Sequence, residues 1–265
     1  MTGLVATIAA AALQIATPSP AVSMLEPNGP WVIEGSEGAC ILTRSYGPDA
    51  AKITVGVQPL FNTPRAEIVV LTRDGSTWSG SGDGSVRFGA DLIEGTFSSY
   101  PLDGHRRLTR FALPATVLDQ IRAASTMTLT ARGLSVAIRL VRTQAAFAGF
   151  EGCQRLLFRS WHVDPAQLAP DRTPMSINVE NVFRPDDYPE DAQRQSIQGR
   201  VITVLDIGTD GAVTGCRVVS AVVPSLDRVT CLRARHARFT PGKDAAGRPE
   251  PSIYVLPVRW VLPYD

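Results

Sequence analysis

Four cysteines, Cys40, Cys153, Cys216 and Cys231, are the residues in this sequence best suited to covalent chemistry. An even number fits disulfide pairing in an oxidising compartment, and no CxxC occurs to suggest zinc or thioredoxin-like redox chemistry. Three connectivities are open; pairing within each half of the chain gives Cys40–Cys153 and Cys216–Cys231. The second pair would be a staple closing a loop of about 15 residues, worth roughly 3 kcal/mol in the chain-entropy model. His105, beside Arg106 and Arg107, and His162, in Trp161-His-Val-Asp164, have no second histidine at ligand spacing, so no metal is expected. Asp186, Asp187, Glu190 and Asp191 cluster where a helix starts, and the helix dipole accounts for them. Arg228, Arg233, Arg235, His236 and Arg238 are read as a solvated helix face rather than a binding patch. GxSxG, HExxH, the P-loop and a complete GxGxxG are all missing. A binding protein without catalytic residues or cofactor is expected.

Composition narrows the partners. With 26 basic and 25 acidic residues the formal charge is +1, so nothing in the electrostatics points to nucleic acid or an anionic membrane. Hydrophobic residues make up 44% of the chain, against 20 prolines and 22 glycines, which implies folded structure rich in short strands and turns. A length of 265 residues suggests two domains.

Residues 4–16 are apolar and alanine-rich, and small residues and prolines follow up to Ser23, as in an export signal. The start lacks Lys or Arg and Gln14 interrupts the run. This stretch is shorter than the ~20 residues a spanning helix needs, so cleavage near residue 23 is expected, with an uncleaved tether as the alternative.

The elements that must position these residues fall into two groups. From Trp31 to about Val141, β-branched segments such as 52–57 and 67–71 alternate with turns. Residues 126–130 and 134–138 flank Arg132-Gly133 as a hairpin, and the glycine run 80–84 reads as tight turns or a mobile loop. Pro114 opens a short helix. Phe147, Phe150, Cys153, Leu157 and Trp161 recur at helical spacing, so an amphipathic helix is expected from Thr143 to about Trp161. Pro165, Pro170, Pro174 and Pro185 then mark an extended linker. The remainder reads as helix, strand, strand, helix, strand: a short helix after Pro189, a strand from Arg200, a turn at Asp210-Gly211, a helix opened by Pro224 and a final strand from about Ser252. That order implies helices packed on one face of a small antiparallel sheet.

Within this second group, Tyr188-Pro189, Gly199, Asp210-Gly211, Leu226-Asp227, Arg238-Phe239, Pro241, Gly247, Pro249 and Leu256-Pro257-Val258 follow an order and spacing that resembles the TonB C-terminal domain. The resemblance implies a periplasmic domain that captures a short extended segment, such as a box from a TonB-dependent outer-membrane transporter, along a sheet edge. It assigns that edge to Ile253, Tyr254, Val255 and Leu256, with Tyr188 and Pro189 as further partner-binding candidates, and it allows a homodimer through the same edge. Members that contact transporters carry a glutamine where this chain has Pro185, and the membrane helix and long proline-rich spacer of an energy transducer are not recognised here. The organisation expected is a signal at 1–23, a β-rich domain of unrecognised family at 24–162, a linker at 163–184 and the TonB-like domain at 185–265. The fold class is α+β: a β-rich domain followed by a three-stranded antiparallel sheet with two helices. Two alternatives stand beside peptide capture: a structural module whose sheet edge is covered, and a tethered energy transducer.

Overall fold

The computed structural model describes residues 23–36, 38–168 and 172–262. The expected export signal lies, apart from residue 23, outside the described residues. Among the described residues no helix is long and apolar enough to cross a membrane.

Alternating apolar residues build the larger part as a ten-stranded sheet. Its strands are β1 (Met24–Leu25), β2 (Val32–Gly35), β3 (Cys40–Tyr46), β4 (Ile53–Pro59), β5 (Arg65–Arg73), β6 (Gly80–Phe88), β7 (Asp91–Asp103), β8 (Arg106–Pro114), β9 (Thr126–Ala131) and β10 (Leu134–Arg139). They run in the order β1-β10-β9-β6-β7-β8-β5-β4-β3-β2. Residues 24–28 join the two ends: Leu25 lies opposite Ile138 of β10, Pro27 bridges to Tyr46 of β3, and the Asn28 N–H donates to the Ser45 carbonyl over 2.8 Å. The sheet thus curls back on itself, which removes most of its free edge and leaves one side of β2 unpaired. Ile68 and Phe111 are cross-strand partners in β5 and β8, and both are wholly buried.

Two helices close this part. α1 (Val117–Ala123) follows β8, and α2 (Thr143–Ser160) packs on α1, β2 and β3. Phe147, Phe150 and Leu157 form the buried stripe of α2, as their spacing requires. Cys153 of the same helix is bonded to Cys40 of β3.

The glycine run 80–84 departs from the sequence expectation: it is the first half of β6, not a loop. Gly84 pairs with Gly95 of β7, and a Cβ on Gly84 would press on Phe111 at 3.1 Å and Phe97 at 3.3 Å. These glycines let aromatic rings lie over the strand, a use that resembles turn punctuation in sequence.

The C-terminal part is the small α+β layer expected. It comprises β11 (Met175–Ser176), α3 (Glu190–Arg194), β12 (Gly199–Ile207), β13 (Val213–Ser220), α4 (Pro224–Ala234), β14 (Phe239–Thr240) and β15 (Ser252–Trp260). Three strands form an antiparallel sheet in the order β13-β12-β15, and β11 pairs with β14. Gly211 turns the β12–β13 hairpin at φ +77° and accepts the Phe239 N–H. Cys216 of β13 is bonded to Cys231 of α4. Residues 163–184 contain a 3-10 helix at Pro165–Leu168, β11 and a second 3-10 helix at Val179–Asn181, and Val179, Val182 and Phe183 pack on the C-terminal core.

Both faces of the three-stranded sheet are covered. Val201, Leu205, Ile207 and Leu256 face the helical side, with Leu226, Ala234 and Phe239. Ile202, Val204, Ile253 and Val255 face the other way and share one continuous core with the curled sheet. Burying each of these four contributes about 1.5–3 kcal/mol, so the two parts are bound through apolar area and not merely tethered.

Candidate functional site

β15 forms one edge of the three-stranded sheet, and Val255 at its centre pairs with Val204 of β12. The N–H and C=O of Val255 point away from β12, and both are engaged. The Val255 N–H donates to Oδ1 of Asn62 over 2.9 Å, and Nδ2 of Asn62 donates to the Val255 carbonyl over 2.5 Å. A side-chain amide offers one donor and one acceptor side by side, so Asn62 reproduces the pair of bonds an added strand would make. Asn62 sits in the turn between β4 and β5 at φ +61°, a left-handed conformation asparagine tolerates better than most residues.

That turn is held firmly. Phe61 packs edge-on against Phe158 and Trp161 at ring-centre distances of 5.9 and 5.3 Å, which ties the turn to the end of α2. Arg217 of β13 donates to the Trp161 carbonyl, so the same helix end grips the far side of the sheet. Gly38, in the β2–β3 turn, lies against Ile202 so closely that a Cβ there would meet its Cδ1 at 2.5 Å.

By strand alternation Ile253 and Pro257 turn their main-chain groups to the same outer side as Val255, and Pro257 has no N–H to offer. A cavity of about 210 Å³ beside Pro257 is lined by Phe61, Thr63, Arg200 and Ile202, among others. Tyr254 and Leu256 face the helical side: Leu256 is buried, and the Tyr254 ring lies 4.8 Å from that of Phe239. Burial first, and the nearby Glu180 carboxylate second, push the Tyr254 phenol above its ordinary value.

Tyr188 is buried; its hydroxyl donates to the Ile197 carbonyl over 2.6 Å and its ring stacks edge-on against Trp260 at 5.4 Å. Pro189 directly precedes α3 at its N-terminus. Tyr188 and Pro189 therefore lie together at the entrance to α3, away from the Asn62 contact. Of the basic residues expected on α4 and beyond, Arg233 pairs with the buried carboxylate of Asp187. Among the described residues no His, Cys, Asp and Glu cluster could hold a metal ion. The opposite edge, β13, carries no main-chain cap among the described residues.

The small antiparallel sheet with two helices on one face defines a class of domain, and comparison with known proteins agrees with it. Residues 184–262 match the family described as Gram-negative bacterial TonB protein C-terminal. The C-terminal part of the chain is thus a TonB C-terminal domain. Among solved structures, the NMR solution structure of the Helicobacter pylori TonB C-terminal domain (residues 179-285) is 22% identical over 33% of this chain and 80% of that one, with a TM-score of 0.25. Curated proteins gave no match.

Asn62 is the site residue that sequence reasoning missed. Phe61-Asn62-Thr63-Pro64 is legible as a turn, but nothing local says that its amide meets a strand 193 residues away.

Proposed function

We propose that this chain is a periplasmic protein-binding module, delivered by an export signal, in which the edge of the TonB-type sheet is kept shut by the β-rich part. The observation that carries this reading is the double hydrogen bond between Asn62 and Val255. Strand addition to β15 needs the Val255 N–H and C=O, and a peptide can take them only by displacing the amide. The covered-edge alternative is therefore favoured over constitutive capture. Extended segments, such as those of TonB-dependent outer-membrane transporters, are the partners to which a released edge would bind. A homodimer built through β15 meets the same obstruction, whereas β13 is an edge with no main-chain cap among the described residues.

The test is a titration of labelled TonB-box-like peptides against the full oxidised chain and its Asn62→Ala variant. Weak or absent binding to the wild type, and clear binding to the variant in competition with no other change, is the expected pattern. Equal and tight binding to both would overturn closure by Asn62.

A further inference from the structure

A second strand edge on this molecule is open, and it lies in the β-rich part. β2 is the outermost strand of the ten-stranded sheet and all four of its residues are exposed. The register of its hairpin decides which main-chain groups are free. The Ser36 N–H donates to the Ala39 carbonyl, so 36 and 39 form a bonded pair, and the next pair, Gly35 and Cys40, is a non-bonded one. Ile33, opposite Leu42, repeats that geometry. The N–H and C=O groups of Ile33 and Gly35 thus point away from β3, and no hydrogen bond engages them among the described residues.

Those two residues line a surface groove of about 900 Å³ whose other wall is α2. Its floor is apolar. Ile33 packs into the space over Gly149, where a Cβ would meet its Cδ1 at 2.9 Å, and Gly152 lines the groove beside it. Leu156, 65% exposed, stands over the groove, and the Cys40–Cys153 disulfide fixes the two walls against each other. The groove is also lined by Arg155 and Arg159, one helical turn apart and both exposed. Neither has a carboxylate partner among the described residues, whereas the nearby Glu151 is taken by Arg122.

We infer that the groove between β2 and α2 is a docking site for an extended peptide segment with apolar residues followed by an acidic end. The segment adds to β2 as a further strand, its main chain pairing with Ile33 and Gly35, its apolar side chains lying against the exposed Leu156, and its carboxylates meeting Arg155 and Arg159. Three separate features point to that one chemistry: free main-chain groups, an apolar floor and two unneutralised guanidiniums. The site is distinct from the β15 edge and does not depend on whether Asn62 opens.

The test is a titration of the full oxidised chain with a labelled, N-acetylated peptide that alternates valine and threonine and ends in two aspartates. Two altered peptides accompany it, one ending in asparagines and one N-methylated at alternate residues. Binding of the acidic peptide is expected, roughly tenfold weaker for the asparagine form and lost for the N-methylated form. The double variant Arg155→Glu with Arg159→Glu, whose side chains are exposed, should keep the wild-type amide fingerprint and bind the acidic peptide roughly tenfold more weakly. Weakening by the Arg155→Glu, Arg159→Glu double variant, which leaves Asn62 and β15 untouched, separates this binding from capture at β15. No binding of the acidic peptide, or equal binding by the N-methylated peptide or by the double variant, overturns the proposal.

Discussion

The side-chain amide of Asn62 satisfies both outward main-chain groups of Val255, 193 residues further along the chain. A turn of the β-rich part therefore stands where a partner strand would pair. The contact is not isolated: the aromatic cluster of Phe61, Phe158 and Trp161, and the four apolar residues Ile202, Val204, Ile253 and Val255, hold the two surfaces together.

Asn62→Asp retains the acceptor for the Val255 N–H but replaces the donor with a carboxylate oxygen facing the Val255 carbonyl. The substitution should destabilise by about 1–3 kcal/mol, as expected when a half-buried polar pair is left mismatched. Thermal unfolding of the purified variant checks this, and an unchanged midpoint would show that the Asn62 donor contributes nothing.

Tyr46 lies in the core with its hydroxyl unpartnered among the described residues. Tyr46→Phe keeps the ring and removes the orphaned group, so stability at neutral pH should stay the same or rise by about 1 kcal/mol. Burial raises the Tyr46 phenol well above its ordinary value. An acid whose folded pKa is raised holds its proton longer when folded; the associated stability is intact below about pH 10, the unfolded value, and is lost as pH climbs toward the folded one. Wild type should therefore lose stability above about pH 10 more steeply than Tyr46→Phe. Parallel alkaline unfolding curves for the two proteins would exclude this assignment.

Cys216 and Cys231 close a loop of 15 residues between β13 and α4. Replacing both by serine should cost about 3 kcal/mol, chiefly through the unfolded chain. Denaturant unfolding reads the loss, and non-reducing peptide mapping should recover Cys40 with Cys153 in the variant.

A fragment spanning residues 172–265 would carry the whole three-stranded sheet but uncover Ile202, Val204, Ile253 and Val255. It should self-associate or bind an apolar dye, while the same fragment with Ile202 and Ile253 changed to threonine should do so less. A monomeric, dye-silent wild-type fragment would mean that the shared core is dispensable.

Much of the C-terminal part was legible in sequence because its signals are local. Pro224 opening α4, Asp210-Gly211 turning the hairpin and the alternation in 200–206 each act within a few residues. The helix α2 was legible for the same reason, through the period of Phe147, Phe150 and Leu157. What escaped depends on distant partners. The glycines of β6 look like punctuation until Phe97 and Phe111 are seen above them, and the ring that packs on Tyr188, Trp260, lies far along the chain. The closed state of β15 is of this kind too, since alternation identifies the strand but not what lies beside its edge.

Amide hydrogen exchange at Val255, compared between wild type and Asn62→Ala, tests closure of the β15 edge most directly. With Asn62 in place the Val255 N–H should be protected although β15 is the outermost strand of its sheet, and in the alanine variant it should exchange markedly faster while Val204 in β12 keeps its protection. A Val255 amide that exchanges freely in the wild type, or is equally protected in both proteins, would contradict closure by Asn62.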